Sequence, residues 1–255
     1  MKIGICLITK NCSGPYLTDW LQYHTDLGVD VFYIYDHESE PSVASRLGLQ
    51  LADFNVSLIK IEGPGPQLAA YNHCIQNVKN GTLPYADRIA FIDDDEFIVC
   101  ENRDLKKTLE QYSQESGLAI NWLIYGSSGL KTKTSVSQRK KFVHHLDPND
   151  DINKHIKVIV DPSKVDNFYS PHCCSYLQGR CIDIDFKPVT YAFTESPKHH
   201  TIWLNHYWTR SEQEYKEKAD RTRADAVDKK YTHKVEFFND VDKRCIHQTH
   251  NKSWM

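Results

Sequence analysis

The sequence predicts a single α/β domain with a mostly parallel central sheet and helices on both faces, and three observations lead there. Through the first hundred residues, short strands that are apolar on both faces alternate with helical stretches of about 10 to 15 residues, the pattern of right-handed βαβ units. Hydrophobic residues make up 40% of the 255, enough to bury a large core rather than leave long spans disordered. No Pro/Gly/Ser-rich stretch, low-complexity segment or fixed-period repeat divides the chain, so one domain is expected.

The elements follow in order. Lys2 to Ile8 is an apolar run and reads as the first strand. Tyr16, Leu17, Trp20, Leu21, His24 and Leu27 then recur at helical spacing until Gly28 supplies the stop. Val29 to Tyr35, β-branched and aromatic, forms a second strand ending at Asp36, with a weaker helical stretch over 41–52 behind it. Val56 to Ile61 is a third strand, followed by a Gly-Pro-Gly-Pro turn and a helix from Gln67 to Lys79 closed by Gly81. Arg88 to Ile92 makes a fourth strand, 104–115 a helix, and Leu118 to Tyr125 a fifth strand. Polar residues over 131–151 read as a mobile loop, and Ile156 to Val160 and Ile202 to Asn205 as further strands. Ser211 caps a charged helix to about Tyr231, most simply a solvated surface with i,i+4 pairs. Parallel sheets bind ligands beyond the carboxyl ends of their strands, which places Thr9 to Cys12, Asp36 to Ser39, Gly63 to Gln67 and Asp93 to Glu96 around one crevice.

A formal net charge of −3 gives no long-range pull toward nucleic acid or anionic lipid, so neither is expected as a partner. The apolar start ends by Ile8 with no small-residue cleavage site after it, and nothing nears the ~20 apolar residues of a membrane span. A cytoplasmic chain without a transmembrane segment is the expectation. The eight cysteines form no C-x-x-C pair, which argues against structural zinc. Cys6, Cys74 and Cys100 read as buried thiols, and His172-Cys173-Cys174 with Cys181 is the cluster left for a metal or a disulfide.

Asp93, Asp94, Asp95 and Glu96 follow directly on a buried apolar strand, where adjacent carboxylates repel one another and lose hydration. A divalent cation would relieve that penalty, and Mg²⁺ or Mn²⁺ is commonly held by one or two carboxylates together with substrate phosphates. The bland alternative, a solvated acidic turn, fits poorly with the apolar strand before the run and Phe97-Ile98-Val99 after it. An EF-hand fails for want of Gly at the sixth position and Glu at the twelfth.

The segment FIDDDEFI is similar to the D-x-D region of GT-A glycosyltransferases, and the match extends beyond it. Lys10-Asn11, Tyr16-Leu17-x-x-Trp20-Leu21-x-Tyr23-His24, FYIYDHES, Gln67 through AYNHC, NWLIYGSSG, KVIVDP, His172 and NHYWTRS-x-x-EY-x-x-K together resemble glycosyltransferase family 92 and related family 2-like enzymes. The resemblance implies a GT-A fold, Rossmann-like, with a nucleotide-binding half over 1–100 and an acceptor-binding half over 101–255. It implies a nucleotide-diphosphate sugar donor with UDP favoured, Mn²⁺ or Mg²⁺, a glycan or glycoconjugate acceptor, and inversion. Carried over by position, Asp93 would face the ribose or the metal, Asp94 would lie in the donor site, and Asp95 would coordinate the ion. Asp36, Lys10 and Asn11 would bind the nucleoside, Gln67 and Asn72 would line the donor pocket, and His206 would be a third metal ligand. The chain departs from the family pattern at Cys12, where Glu is usual, and at Arg139-Lys140-Lys141-Phe142 in place of a Glu-Arg-Phe element.

An inverting transfer needs a carboxylate base for the acceptor hydroxyl. Asp150, Asp151, Asp161, Asp183 and Glu195 all have the chemistry, and Asp150 and Asp151, in the loop after NWLIYG, are the candidates taken. His24 reads as a core residue, and Trp122, Trp203, Tyr207 and Trp208 as core or as sugar-stacking rings. Two rival readings use the same residues: a metal-dependent nucleotidyltransferase or phosphohydrolase, and a non-catalytic carbohydrate-binding module.

Overall fold

The computed structural model describes residues 1–135, 137–219 and 235–245. Its elements run β1 (Ile3–Thr9), α1 (Gly14–Leu27), β2 (Val31–His37), α2 (Val43–Leu47), β3 (Val56–Ile61), α3 (Gln67–Lys79), β4 (Arg88–Phe91), β5 (Glu96–Cys100), α4 (Leu105–Glu110) and β6 (Gly117–Ile124). They continue through α5 (Gln138–Lys141), β7 (Ile156–Val160), β8 (Val165–Ser170), β9 (Cys173–Tyr176), β10 (Cys181–Ile182), β11 (Pro188–Val189), β12 (Ile202–His206), α6 (Glu212–Ala219) and α7 (Val235–Cys245).

The main sheet has the order β11-β10-β6-β7-β4-β1-β2-β3, with β12 bridging β6 and β5. Its amino-terminal part, β4-β1-β2-β3, is parallel throughout, as expected of βαβ units. Alternate residues of β1 enter opposite cores: Ile3, Ile5 and Leu7 pack with Leu17, Trp20 and Leu21 of α1, whereas Cys6 and Ile8 pack with Tyr71, Cys74 and Ile75 of α3. That two-sided burial is the physical reason the strands read as unbroken apolar runs. The β8–β9 hairpin covers the α3 side through Phe168, which packs on Tyr71 and Phe91.

Helix α1 begins where Ser13 accepts a hydrogen bond from the Tyr16 amide and ends at Gly28, whose φ of 109° closes the helix. The sequence-based helix over 41–52 is divided: α2 stops at Gly48 and a 3₁₀ turn carries the chain to Asp53. The helix expected over 104–115 is only Leu105–Glu110, because the Arg88 guanidinium takes the carbonyls of Tyr112, Ser113 and Glu115. Strand β7 runs antiparallel to both β4 and β6, and β5 pairs antiparallel with β12, so the sheet departs from parallel pairing in its second half. The 131–151 segment, expected to be mobile, holds one helical turn and fixes Gln138, Phe142 and Leu146 in the interior. All eight cysteines are free and buried, so the His172–Cys181 cluster forms no disulfide. Beyond Ala219 the charged helix expected to reach Tyr231 lies outside the described residues. No helix among the described residues is long and apolar enough to cross a membrane.

Candidate functional site

Parallel strands β1 and β4 end side by side, and the acidic turn leaves β4 at the mouth of a cavity of about 490 Å³. Thr9, Lys10, Asn11 and Cys12 from the β1 loop, Gln67 at the start of α3, and Asp93, Asp94 and Asp95 all line it; Asp36 to Ser39, Gly63 to Pro66 and Glu96, placed in the same crevice from the strand order, do not. The turn is held from both sides. The Asp93 amide donates to Glu96 Oε2 at 2.8 Å, the Trp20 indole of α1 donates to the Glu96 carbonyl at 2.8 Å, and the Tyr207 amide donates to the Asp95 carbonyl at 2.8 Å.

The repulsion expected within the run is relieved by the chain itself, one cation to each aspartate. Lys157 Nζ lies 2.8 Å from Asp93 Oδ2, Arg210 Nη2 lies 2.6 Å from Asp94 Oδ1, and Lys218 Nζ lies 2.8 Å from Asp95 Oδ2. Gln67 adds a hydrogen bond to Asp93 Oδ1 at 3.2 Å, and Thr9 donates to Asp94 Oδ2 at 2.6 Å. Lys157 is 1% exposed; burial works against its charge, but Asp93 and Glu96 raise its pKa above the ordinary lysine value and keep it cationic. Burial pushes Glu96 up to about 8, with Asp93 and Asp95 adding to the rise and Lys157 opposing it.

Asp95 and His206 meet on the cavity wall, Oδ1 to Nε2 at 3.4 Å. Burial would raise the Asp95 pKa, but Lys218 and His206 hold it well below the usual carboxylate range. Burial lowers His206 in turn, leaving a neutral ring with a lone pair. Behind the ring, His206 Nδ1 and Glu96 Oε1 face each other at 3.7 Å, both buried and both without a hydrogen-bond partner among the described residues. Among those residues no group of three or more His, Cys, Asp or Glu side chains gathers into a metal cage. An ionised carboxylate beside a neutral imidazole, open to a cavity, fits instead a Mg²⁺ or Mn²⁺ ion shared with substrate phosphates.

Other expected site residues are placed differently. Asp36 is 4% exposed and outside the cavity; its two oxygens accept the amides of Ser39 and Val43, which fixes the entry to α2. Asn72 also lies away from the cavity and clasps Phe168 of β8 through both its amide and carbonyl. Lys10 and Asn11 do line the cavity, while Lys10 also pairs with Glu38 at 2.9 Å and the Asn11 side chain accepts from the Glu40 amide and Arg46. Asp150 caps a short 3₁₀ turn and pairs with Arg244, while Asp151 is exposed and pairs with Lys154, so neither carboxylate lines the cavity. Trp122, His155, His172 and Trp208 also line it, beside His206: Trp122 stacks on His155 at 4.7 Å and lies 4.5 Å from the His206 ring, and Trp208 stacks on that ring at 6.0 Å. Trp203 and Tyr207 belong to the core.

The residues missed from sequence are Lys157, Arg210 and Lys218. A lysine inside the otherwise apolar IKVIV was a legible sign of a buried partner; Arg210 and Lys218 stand in the NHYWTRS-x-x-EY-x-x-K motif of the resemblance, but were given no role there.

The family model for glycosyltransferase family 92 matches residues 11–252. The chain belongs to glycosyltransferase family 92. A family 92 protein of Ricinus communis is 29% identical over 136 residues, covering 51% of this chain and 24% of the relative. One from Arabidopsis thaliana is 30% identical over 97 residues, covering 38% and 16%. The family 92 chain thus aligns with about a quarter or less of the length of these relatives. Among solved structures, a TarS fragment of S. aureus is similar at a TM-score of 0.36 and 15% identity, covering 64% of this chain and 48% of that one. A putative glucose-1-phosphate thymidylyltransferase from Bacillus anthracis in complex with a sucrose gives 0.39 and 13%, covering 63% and 72%.

Proposed function

We propose that this family 92 chain is a hexosyltransferase that moves a sugar from a nucleotide-diphosphate donor, UDP-sugar favoured, to a hydroxyl of a glycan or glycoconjugate, with inversion. The observation that carries this is the meeting of Asp95 and His206 at 3.4 Å on the wall of a cavity at the ends of parallel strands. Asp95 and His206 would hold Mn²⁺ or Mg²⁺, and a bound ion would neutralise charge developing on the leaving diphosphate. Lys218 reaches the same carboxylate from α6, so its ammonium is suited to follow the phosphate oxygens when an ion takes its place at Asp95. Lys157 and Gln67 orient Asp93 toward the donor.

Beside His206, Trp208 and the neighbouring Trp122, His155 and His172 give the cavity an aromatic wall against which an acceptor sugar would pack. The acceptor oxygen bonds to the anomeric carbon as that carbon's bond to the diphosphate oxygen breaks; the electron pair leaves on the diphosphate and the hydroxyl proton passes to solvent water. Asp150 and Asp151 take no part in this reading.

A thermal-shift screen of nucleotide-sugars with and without Mn²⁺ tests the proposal. A cognate donor at 100 times its Kd adds about 2.7 kcal/mol of stability. Mn²⁺-dependent stabilisation is expected for a UDP-sugar in the wild type and is lost in Asp95→Asn, and product analysis shows nucleoside diphosphate released in step with a new glycoside. No Mn²⁺-dependent response to any nucleotide-sugar would sink the reading.

A further inference from the structure

Asp95 is already shared between two side chains of the fold. Its Oδ1 faces His206 Nε2 at 3.4 Å, its Oδ2 holds the Lys218 ammonium at 2.8 Å, and the residue is 5% exposed. A divalent ion arriving at Asp95 therefore meets a positive charge in place on the same carboxylate, where water screens the repulsion poorly.

The three cations of the acidic turn are not held equally. Lys157 leaves β7 with its side chain 1% exposed and has Glu96 Oε2 at 3.7 Å besides Asp93. Arg210 is clamped as well: its Nε donates to Gln138 Oε1 at 2.8 Å, and its Nη2 reaches both Oδ1 and the carbonyl of Asp94. Lys218 stands in the last turn of α6, is the most exposed of the three at 29%, and meets the Trp208 carbonyl at 3.5 Å, a marginal hydrogen bond. An ammonium on a flexible four-carbon stem re-aims more readily than a forked guanidinium.

Charge decides what would move it. Among the described residues lining the cavity, lysines and arginine match Asp and Glu one for one. A divalent ion alone, or a diphosphate alone, leaves that balance broken in a partly enclosed space. A divalent ion together with the dianionic pyrophosphate link of a nucleotide-sugar keeps it.

We propose that Lys218 couples the ion to the diphosphate: it holds Asp95 against a bare divalent ion and yields the carboxylate when a diphosphate is present to take its ammonium. Lys218 lines the cavity, so the displaced ammonium and the phosphate oxygens share one space. The inference rests on the proposed function and adds that ion and diphosphate bind as one neutral unit. By linkage, the factor by which the diphosphate tightens the ion is the factor by which the ion tightens the diphosphate.

Mn²⁺ titration without nucleotide, followed by loss of the free-ion electron paramagnetic resonance signal, tests it on the wild type, Lys218→Met and Lys218→Arg. Calorimetry then measures UDP at saturating Mn²⁺ on the same proteins. Met keeps an apolar stem without the charge, and Arg keeps the charge. Lys218→Met should bind Mn²⁺ alone roughly ten-fold or more tighter than the wild type, and UDP with Mn²⁺ roughly ten-fold weaker. Lys218→Arg should stay near the wild type in the first measurement. Opposite signs in one variant are not what a loss of packing produces. The gain should vanish in the double variant Asp95→Asn, Lys218→Met, which locates it at Asp95. Mn²⁺ affinity of Lys218→Met equal to or below the wild type, a gain that survives Asp95→Asn, or an unchanged UDP affinity overturns the inference; the glycosyltransferase reading then stands on the Mn²⁺-dependent UDP binding of the wild type. A wild type whose UDP binding is indifferent to Mn²⁺ overturns both.

Discussion

His24 shows how a single buried group sets a pH response. It sits at 0% exposure between Trp20, Tyr23 and Phe97, its Nδ1 lies 2.9 Å from the Trp20 carbonyl, and its Nε2 accepts the Ile98 amide at 3.2 Å. That pair of contacts defines a neutral ring with the proton on Nδ1, and burial lowers its pKa to about 3. The unfolded chain takes up a proton below the ordinary histidine value of about 6.5 and the folded chain does not. This contribution to stability is therefore complete above about pH 6.5 and is lost as pH falls toward 3. Urea unfolding at stepped pH should show a slope between pH 4.5 and 6.5 that is smaller in His24→Gln than in the wild type, by up to about 1.4 kcal/mol per pH unit. Identical slopes would mean that the ring titrates normally in the fold. The helical spacing put His24 on the apolar face of α1 as a core residue; its acceptor, the Ile98 amide of β5, became visible only once β5 was in place.

At the scale of elements, the best-read pieces are those whose ends are set by local chemistry. Helix α3 occupies Gln67–Lys79, the span expected from the Gly-Pro-Gly-Pro turn and Gly81, and β3 occupies Val56–Ile61 as expected. Helix α1 stops at Gly28 because a residue at φ 109° costs little only without a Cβ. Gly28→Ala should destabilise the fold by about 1 to 2 kcal/mol, and urea titration measures it. An added Cβ would meet nothing closer than Lys106 Cγ at 3.7 Å, so the loss reports backbone strain and not a clash; an unchanged midpoint would refute that account. Helix α4 is misread for the opposite reason: what ends it is Arg88, reaching from another strand to take its neighbouring carbonyls.

At the scale of the whole molecule, the main sheet is shared by two halves of the chain. Strand β4 has β1 on one side and β7 on the other, and β5 pairs with β12. Residues 1–100 alone would expose the β4 edge and leave β5 without its neighbour, while Asp93 and Glu96 would lose Lys157. The fragment 1–100 should therefore show no cooperative unfolding transition in urea by circular dichroism. A sharp sigmoidal transition at native helix content would show that the amino-terminal half folds independently.

The sequence by itself determined the alternation of strands and helices, the apolar faces, and the address of the acidic run at the end of β4, because periodicity, caps and turn residues act over a few positions. Only the tertiary structure decided what that run is: three aspartates each held by a cation of the chain, one of them facing His206. Those cations stand 64, 116 and 123 positions away along the chain, and no local pattern links residues so far apart. The same distance explains why Asp36 and Asn72, placed by position in the resemblance, turned out to be fastenings of the fold: the sequence locates a polar residue near a strand end, but packing chooses whether it meets a ligand or a neighbouring backbone.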